Sequence, residues 1–506
     1  MSGLHLTPLL RPFLVKRASR ELQSALDAEA VQKRQLKMLL DACRHTSYGR
    51  RHGIAGTEGY ADFACALPLC SYEDIRSDAE RMIAGEKDVL WPGVTRRFAQ
   101  SSGTSGGKSK YVPVTEQSLR SLHYRGATAA MCFYLANYPD SRVFDGKNLI
   151  LGGSYANELH LADKRVKVGD LSASLIDCIN PLANLVRIPS KQVALMADWE
   201  KKLPALVEAS LRADVRSISG VPSWFLTVLK AVIAKAGAQT IHDVWPGLEV
   251  FFHGGIAFGP YRDEYRSITD PSRMHYVDTY NASEGFFAAQ DTTDPAAGML
   301  LLTDCGLFYE FIRVGDSSER ALPLWELIPG EVYEMVITAC NGLWRYRIGD
   351  TVRVVSTAPV RITVAGRTRS YINAFGEELM VYNADHALEA ACKDTGATVA
   401  DYTAAPVYAH GGARGHHQWL IEFGRRPADL EAFADKLDEA LRAENSDYDA
   451  KRQKGIFLDR LEIVEARKGL FDRWLALTGR RGGQRKVPRL NNDRTLIDRL
   501  LALNTD

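Results

Sequence analysis

The sequence predicts an α/β protein with a large N-terminal domain and a small C-terminal α+β domain, and three observations indicate this. Between residues 147 and 330, short apolar runs end in glycine and lead into helical stretches, which is typical of α/β layers. Residues 299–365 contain consecutive β segments, which predict a mostly antiparallel, barrel-like part. After about residue 380 the pattern changes to a smaller α+β unit, so we expect domains over residues 1–380 and 381–506.

The N-terminal third predicts helices around one strand pair. Residues 20–45 carry leucine and alanine at the spacing of an amphipathic helix. Residues 94–114 predict a strand, a polar loop and a second strand, and residues 116–136 predict a helix. Further helices are expected over residues 193–211 and 223–237.

The strands expected in the α/β layers are NLILGG (148–153), VRSISG (215–220) and LEVFFHGG (248–255). In the small C-terminal unit, strands are expected near YTAAPVYA and HQWLIEFG, with a helix over residues 427–443.

Composition restricts the class of protein. The 506 residues are 46% hydrophobic and 25% charged, the balance of a soluble globular protein, and a net charge of +1 gives no reason to expect nucleic acid as a partner. The eight cysteines form no CxxC pair, which argues against a zinc cluster or a disulfide framework. The sequence shows neither a signal-peptide core nor an apolar run of 18 residues, so we expect a cytoplasmic protein without membrane insertion.

The segment AQSSGTSGGKSKYVPV (99–114) is the first candidate site. Backbone amides of a glycine-rich loop can converge on a phosphate, and its hydroxyls and lysines add donors and charge. A Walker P-loop is excluded because the spacing from Gly103 to Gly107 is too short and a strand follows. The candidate phosphate-binding residues are Ser101, Ser102, Gly103, Thr104, Ser105 and Lys110.

Two other interpretations of this loop stay open. GTSGG (103–107) matches G-x-S-x-G, which would make Ser105 the nucleophile of a serine hydrolase, although the helix that this motif requires is missing. A glycine-serine loop without any ligand is the third alternative.

Two further segments contain candidate polar residues. In YVDTYNASEGFFAAQ (276–290), Glu284 follows a strand and could bind Mg²⁺ beside a phosphate, or could simply be a charge at a helix N-terminus. WRYRIGDTVRV (344–354) predicts a hairpin with a Gly-Asp turn. Asp350 could serve the turn, or could accept hydrogen bonds from ribose hydroxyls.

Together, SSGTSGG (101–107) with Lys110, TYNASEG (279–285) and YRIGD (346–350) resemble the three signature motifs of adenylate-forming enzymes. The sequence is most similar to the auxin-responsive-promoter-type acyl-acid amido synthetases. Four more segments resemble that family, so the resemblance covers residues 35–490: GVPSW (220–224), HQWLIEF (417–423), NSDYDAKR (445–452) and GQRKVPR (483–489).

The resemblance implies a luciferase-like fold whose small C-terminal domain moves about a hinge near residues 381–386. It also implies an acid–amino acid ligase that uses ATP and Mg²⁺. Such an enzyme converts a carboxylic acid to an acyl-adenylate with release of pyrophosphate, and an amino acid or amine then displaces AMP. An acyl-CoA synthetase on the same fold is the alternative, and a nucleotide-binding protein without catalysis is a third class.

The resemblance assigns a role to each candidate residue. Ser101, Ser102, Thr104 and Ser105 would hold the ATP phosphates, and Gly254 and Gly255 would line the adenine, near Tyr280 and Asn281. Glu284 would hold Mg²⁺ or phosphate, Asp350 would bind the ribose, and Arg367 would contact ribose or phosphate. Lys486 would close on the α-phosphate, although RRGGQRKVPR (480–489) could also be a solvated basic segment.

The acyl pocket and the acceptor are the least readable features. Candidates are Leu122, Arg125 and Met131 on the helix over residues 118–135, and the segment 221–226 with Trp224 or Phe225 as possible walls. Such residues are more often simply core. At the hinge, His386 stands after Asp385, where the plant pattern has a lysine. The sequence predicts neither the particular acid, nor the amine, nor the oligomeric state.

Overall fold

The computed structural model describes residues 5–56, 59–101, 109–155, 157, 159, 161, 163–256, 258–316, 318–367, 371–408, 414–453, 458–477 and 487–505. Contacts between residues divide the chain into two compact units. The first unit contains Met1–Ser101, Lys110–Gly255 and Tyr265–Thr368, and the second contains Ile256–Glu264 and Arg369–Asp506.

The helices up to the end of the first α/β layers are α1 (Leu6–Leu26), α2 (Ala28–Cys43), α3 (Ser47–Arg51), α4 (Tyr60–Ala66), α5 (Tyr72–Ile83), α6 (Glu116–Ser118), α7 (Arg125–Asn137), α8 (Leu171–Asp177), α9 (Pro181–Leu185), α10 (Lys191–Ala194), α11 (Trp199–Leu211), α12 (Pro222–Ala236), α13 (Ile241–Val244) and α14 (Arg262–Ile268). A π-helical segment, Leu119–Tyr124, connects α6 to α7.

The strands of the first unit are β1 (Arg97–Ser101), β2 (Lys110–Pro113), β3 (Lys147–Ile150), β4 (Lys167–Gly169), β5 (Arg187–Ile188), β6 (Val215–Gly220), β7 (Val250–His253), β8 (His275–Ala282), β9 (Gly285–Ala289), β10 (Met299–Leu301), β11 (Leu307–Arg313), β12 (Ala321–Pro323), β13 (Val332–Ala339), β14 (Leu343–Thr357) and β15 (Val360–Arg367).

One twelve-stranded sheet dominates the first unit, in the order β12-β11-β13-β14-β15-β10-β9-β8-β7-β6-β3-β5. Strands β5, β3, β6, β7 and β8 run parallel, and the remaining neighbours are antiparallel. Every residue of β7 is buried, because helices cover both faces of a parallel sheet and favour a continuous apolar strand. The antiparallel part expected from residues 299–365 therefore continues the parallel part through β8 and β9.

A separate three-stranded sheet, β2-β1-β4, carries the glycine-rich segment of the sequence. Strands β1 and β2 are antiparallel and Ser101 lies opposite Lys110, so the two ends of that segment are neighbours. This confirms the strands predicted on either side of the loop.

The second unit contains α15 (Val381–Thr395), α16 (Leu430–Glu444), α17 (Ser446–Arg452), α18 (Leu470–Leu477) and α19 (Thr495–Thr505), with β16 (Tyr371–Ile372), β17 (Leu379–Met380), β18 (Thr398–Val407), β19 (His416–Arg425) and β20 (Glu462–Glu465). Strands β18, β19 and β20 form one sheet, in which Trp419 and Leu420 are fully buried. Residues 381–386 form the start of α15, and the hinge expected there stays a prediction.

Two helix predictions need correction at their ends. The helix expected over residues 20–45 is two helices, because Asp27 leaves the helical conformation at φ −91°, ψ 30° and ends α1. The helix expected from residue 193 begins at Trp199, because the Asp198 carboxylate accepts a 3.1 Å hydrogen bond from the Glu200 amide and caps α11 there.

The hairpin predicted at WRYRIGDTVRV is wrong. Residues 343–357 form one continuous strand, β14. Against β13, Arg347 pairs with Val336 and Thr351 pairs with Glu334, so β14 holds extra residues around Gly349 and Asp350. Gly349 has a φ of +87°, which lets the strand bulge and continue instead of reversing.

Helices in the described part of the chain do not combine the length and apolar character needed to cross a lipid bilayer.

Candidate active site

The carboxyl ends of the parallel strands form one edge of the first unit. Strand β3 leads into Gly152 and Gly153, β6 ends at Gly220, and β7 leads into Gly254 and Gly255. Ligands of open α/β sheets bind outside the carboxyl ends of such strands. A side chain at Gly254 would lie 2.4 Å from the carbonyl oxygen of Thr279, and Gly255 has a φ of +83°, so backbone alone occupies this place.

The second and third sequence motifs meet at a buried hydrogen bond. Tyr280 in β8 donates from its hydroxyl to Oδ2 of Asp350 in the β14 bulge, at 2.8 Å. The two side chains are 6% and 7% exposed. The ring of Tyr280 packs on Phe287 with ring centroids 4.9 Å apart, which fixes the hydroxyl beside the carboxylate.

The described ends of the first motif lie beside the third. Lys110, at the start of β2, places its Nζ 3.3 Å from the hydroxyl of Tyr346 and 5.8 Å from the ring centroid. Tyr346 is fully buried and begins the YRIGD motif that ends at Asp350. Lys110 therefore brings one positive charge to the part of β14 that carries Asp350.

Glu284 lies in the turn between β8 and β9. Its backbone carbonyl accepts a 3.1 Å hydrogen bond from the Asn341 amide, and the residue is 6% exposed. Its carboxylate makes no hydrogen bond or ion pair with another described residue. Because it has no partner among the described residues, this carboxylate is available to a cation or a ligand.

Among the described residues, no group of three or more histidine, cysteine, aspartate or glutamate side chains could hold a metal ion. Outside such a group, Glu284 can still supply one carboxylate ligand. That arrangement fits Mg²⁺, which keeps several waters and is often bound by one or two carboxylates together with substrate phosphates.

Contacts beside the glycines add residues that the sequence did not single out. Thr279 donates from Oγ1 to the His253 carbonyl at 2.9 Å, and the same Oγ1 lies 3.4 Å from Oδ1 of Asn281. The buried His253 ring places Nδ1 3.1 Å from Oδ1 of Asp278. These contacts fix the end of β7 against β8. In the sequence, the only sign of them is that His253 directly precedes Gly254.

The third motif also lies beside another predicted residue. Asp350 is the direct cross-strand partner of Arg367 in β15, which the sequence could not show because seventeen residues separate them. The side chain of Arg367 is not among the described atoms. Ser102, Gly103, Thr104, Ser105 and Lys486 lie outside the described residues.

Most of the acyl-pocket candidates are packed in the interior or paired with other side chains. Leu122 and Phe225 are fully buried, and Trp224 lies against Trp199 with ring centroids 5.6 Å apart. Arg125 is held by Asp304 at 2.7 Å and Glu21 at 3.3 Å, so its charge is neutralised within the first unit. In the second unit, Nδ1 of His386 lies 3.5 Å from Oε2 of Glu444.

Comparison with family models gives three consecutive matches. The model of the GH3 family N-terminal domain matches residues 19–274, that of the GH3 family central domain matches residues 300–367, and that of the GH3 family C-terminal domain matches residues 382–495. These matches confirm the family that the motifs predicted.

Individual relatives agree with the family models. The indole-3-acetic acid-amido synthetase GH3.8 of Oryza sativa subsp. indica is 24% identical over 92% of this chain and 88% of its own. The jasmonoyl–L-amino acid synthetase GH3.5 of Oryza sativa subsp. japonica is 23% identical over 65% of this chain and 68% of its own.

Solved structures confirm the fold class. The AtGH3.15 acyl acid amido synthetase in complex with 2,4-DB superposes with a TM-score of 0.62, at 20% identity over 96% of each chain. A 2-hydroxyisobutyryl-CoA ligase in complex with 2-HIB-AMP and CoA gives a TM-score of 0.55, at 14% identity over 95% of this chain and 92% of its own. The fold is thus that of adenylate-forming enzymes with a large and a small domain.

Proposed function

The chain belongs to the GH3 family, and we propose from this premise that it binds ATP at the carboxyl edge of its parallel strands and joins a carboxylic acid to an amino acid. The activity is that of an acid–amino acid ligase, which uses ATP and proceeds through an acyl-adenylate. The observation that supports the location most directly is the hydrogen bond between Tyr280 and Asp350, which unites two of the three motifs.

The first step forms the acyl-adenylate. A carboxylate oxygen attacks the α-phosphorus of ATP, a new P–O bond forms, and the bond to the β-phosphate breaks to release pyrophosphate. Two anions must approach each other, so positive charge has to be placed where negative charge develops. We assign this role to Lys486, and we assign the grip on the phosphates to Ser101, Ser102, Gly103, Thr104, Ser105 and Lys110.

The nucleoside is assigned to the described residues of the edge. Asp350 would accept hydrogen bonds from the ribose hydroxyls while Tyr280 holds the carboxylate in place. Gly254 and Gly255 would leave a flat backbone surface for the adenine, with Asn281 beside it. Arg367, the cross-strand partner of Asp350, would contact ribose or phosphate. Contacts between side chains on two motifs support this arrangement, since they keep Asp350 in one orientation before ATP arrives.

Mg²⁺ is the metal that these residues fit. The buried carboxylate of Glu284 would hold it, together with the phosphates that the substrate brings. When bound, the metal neutralises phosphate charge and polarises the phosphoryl oxygens.

The second step forms the amide. A neutral amine attacks the acyl carbonyl, and the C–O bond to AMP breaks as the amide forms. The acceptor is the main difference from an acyl-CoA synthetase of the same fold, in which a thiol attacks. The names of the two rice relatives support an amino acid as acceptor.

One experiment tests the function and separates it from the alternatives. Purified protein is incubated with ATP, Mg²⁺ and a panel of carboxylic acids, with either CoA or a mixture of amino acids, and both AMP and products are measured. The proposal predicts acid-dependent AMP release that amino acids stimulate, with an amide product seen by mass spectrometry. A thioester product, or AMP release that only CoA stimulates, would overturn it in favour of the acyl-CoA synthetase.

A further inference from the structure

Helix α1 is fixed to the first unit along one face. The residues of this inner face recur at helical spacing and are buried or packed against the core: Thr7, Leu14, Ala18 and Ala25. Arg11 lies on the same side and donates to the carbonyls of Leu135 at 2.6 Å and Ser141 at 3.0 Å. These contacts determine which side of α1 faces outward.

The outer face of α1 begins with large apolar side chains. Leu9 is 64% exposed, and Phe13, one turn later, is 76% exposed. Single exposed apolar residues are common on protein surfaces, whereas neighbouring ones mark contact sites. A helix that packs on a core needs one apolar face, and α1 already has that face on its inner side. Packing within the first unit therefore does not explain Leu9 and Phe13.

Two cations continue the same outer face. Lys16 follows Phe13 by three positions, and Arg20 follows Lys16 by four, so all of them lie in one line along the helix. Both cations are exposed. We call these four residues the outer stripe: Leu9, Phe13, Lys16 and Arg20.

The helix as a whole has an excess of positive charge. Its sequence contains four basic residues and one acidic residue, Glu21. Glu21 is 5% exposed and pairs with Arg125 of α7 at 3.3 Å. The one acidic side chain of the helix is therefore buried away from the outer stripe.

This combination of side chains fits the surface of an anionic lipid bilayer. Leucine and phenylalanine enter the boundary between headgroups and acyl chains, while lysine and arginine attract anionic headgroups. A second copy of the chain fits less well, because it would bring its own excess of cations to the same place. A nucleic acid backbone would match the cations but would leave the two apolar side chains in water.

We propose that the outer stripe of α1 docks on the surface of an anionic lipid bilayer. Its two apolar side chains enter the interfacial layer, and its two cations contact the headgroups. The binding is weak and reversible, because so few side chains make a small contact. Docking of this kind adds a location to the proposed function and does not depend on it.

Sedimentation with vesicles tests this docking in the full chain. The protein is mixed with vesicles of phosphatidylcholine alone, or of phosphatidylcholine and phosphatidylglycerol in equal parts, and the bound fraction is measured. We expect binding to the mixed vesicles that is about tenfold stronger than to phosphatidylcholine alone and that weakens as salt is raised. Equal binding to the two kinds of vesicle, or no binding to either, would overturn the proposal.

Two variants separate the apolar and the charged parts of the outer stripe. Leu9→Ser/Phe13→Ser removes the apolar contact and is expected to weaken binding to the mixed vesicles by about tenfold. Lys16→Glu/Arg20→Glu reverses the charge and is expected to reduce binding to the level seen with phosphatidylcholine alone. All four positions are exposed, so both variants should fold as the wild type does, which thermal unfolding checks. Wild-type binding by either variant would contradict the assignment.

Matched controls lie elsewhere on the first unit. Leu185 is 67% exposed at the end of α9, and the side chain of Lys201 on α11 is 79% exposed. Leu185→Ser and Lys201→Glu are expected to bind the mixed vesicles as the wild type does. If these controls lose as much binding as the stripe variants, overall charge and hydrophobicity cause the effect and the outer stripe is not the docking site.

Light scattering without lipid tests the other occupant, a second copy of the chain. We expect the same molar mass for the wild type and for Leu9→Ser/Phe13→Ser. A dimeric wild type whose Leu9→Ser/Phe13→Ser variant is monomeric would show that a second copy covers the outer stripe, and would overturn membrane docking. Because α1 carries none of the residues assigned to ATP, ligase activity without vesicles should be unchanged in these variants.

Discussion

The hydroxyl of Tyr280 and the carboxylate of Asp350 lie 2.8 Å apart although 70 residues separate them in the chain. Tyr280 lies near the end of β8, and Asp350 lies in the bulge of β14. The bond fixes a carboxylate at the edge where the parallel strands end. Substitution of either residue therefore tests the proposed nucleotide site.

Asp350→Ala is expected to raise KM for ATP at least tenfold. A hydrogen bond to a charged group is worth about 1.5–3 kcal/mol, and two ribose hydroxyls would lose their acceptor. Steady-state kinetics with varied ATP measure this, with Asp316→Ala as the control because Asp316 lies on an exposed loop of the same unit. If both variants have the wild-type KM for ATP, Asp350 does not bind the ribose.

Glu284→Gln is expected to move the Mg²⁺ titration of activity to higher concentration. The amide keeps the shape of the side chain but removes the charge that the metal would meet. Activity measured against Mg²⁺ at saturating ATP checks this. Glu319→Gln is the control, since Glu319 is exposed and pairs with Arg347. Superimposable titrations of the Glu284→Gln variant and the wild type would remove Glu284 from the metal site.

Removing one partner of the buried ion pair between Arg345 and Glu310 is expected to destabilise the first unit strongly. Arg345 donates to both oxygens of Glu310 and to the carbonyls of Ala64 and Leu67, at distances of 2.7–3.2 Å. Glu310→Ala would leave the guanidinium buried without its charge partner. The free energy of unfolding should fall by about 3–5 kcal/mol.

Denaturant unfolding measures this difference, and Arg320→Ala supplies the comparison. Arg320 and Glu326 form an exposed pair at 3.3 Å, whose loss should cost no more than about 1 kcal/mol. Equal losses in the two variants would contradict a structural role for the buried pair.

His123 is expected to make stability depend on pH. Burial lowers the pKa of its imidazole to about 4, whereas the unfolded chain has a value near 6.5. Between these values the unfolded state binds more protons, so this histidine's contribution to the free energy of unfolding falls as pH drops from 6.5 toward 4. The burial that causes this belongs to the π-helical segment before α7.

Urea unfolding of wild type and His123→Leu at several pH values checks the sign. The variant lacks the titrating group, so its stability relative to wild type should increase as the solution becomes more acidic. Other buried histidines contribute equally to both proteins and cancel in the difference. A difference that is constant between pH 7 and 4.5 would contradict the burial argument.

The sequence predicted the local elements well where one signal dominates. Strand β6 occupies the predicted residues 215–220, and α12 begins at Pro222 and ends before Gly237, as its proline and glycine favour. The hairpin predicted at Gly349 and Asp350 was wrong because glycine and aspartate are typical of both a hairpin turn and a bulge inside a strand. Only pairing with β13 and β15 decides between them, and that pairing is not local.

The candidate site likewise has residues that the sequence indicated and contacts that it could not indicate. Motif order indicated Asp350, Tyr280 and Glu284, but the bond between the first two depends on the register of distant strands. Asn341, which holds the carbonyl of Glu284, carries no motif signal and could be found only in three dimensions.

The route through an acyl-adenylate is tested most directly by following the oxygen of the acid. A substrate acid labelled with a heavy isotope in both carboxylate oxygens is turned over with ATP and an amino acid, and the nucleotide product is analysed by mass spectrometry. Attack of the carboxylate on the α-phosphorus predicts one labelled oxygen in AMP and none in pyrophosphate. Unlabelled AMP, or label in a released phosphate together with ADP, would contradict the account.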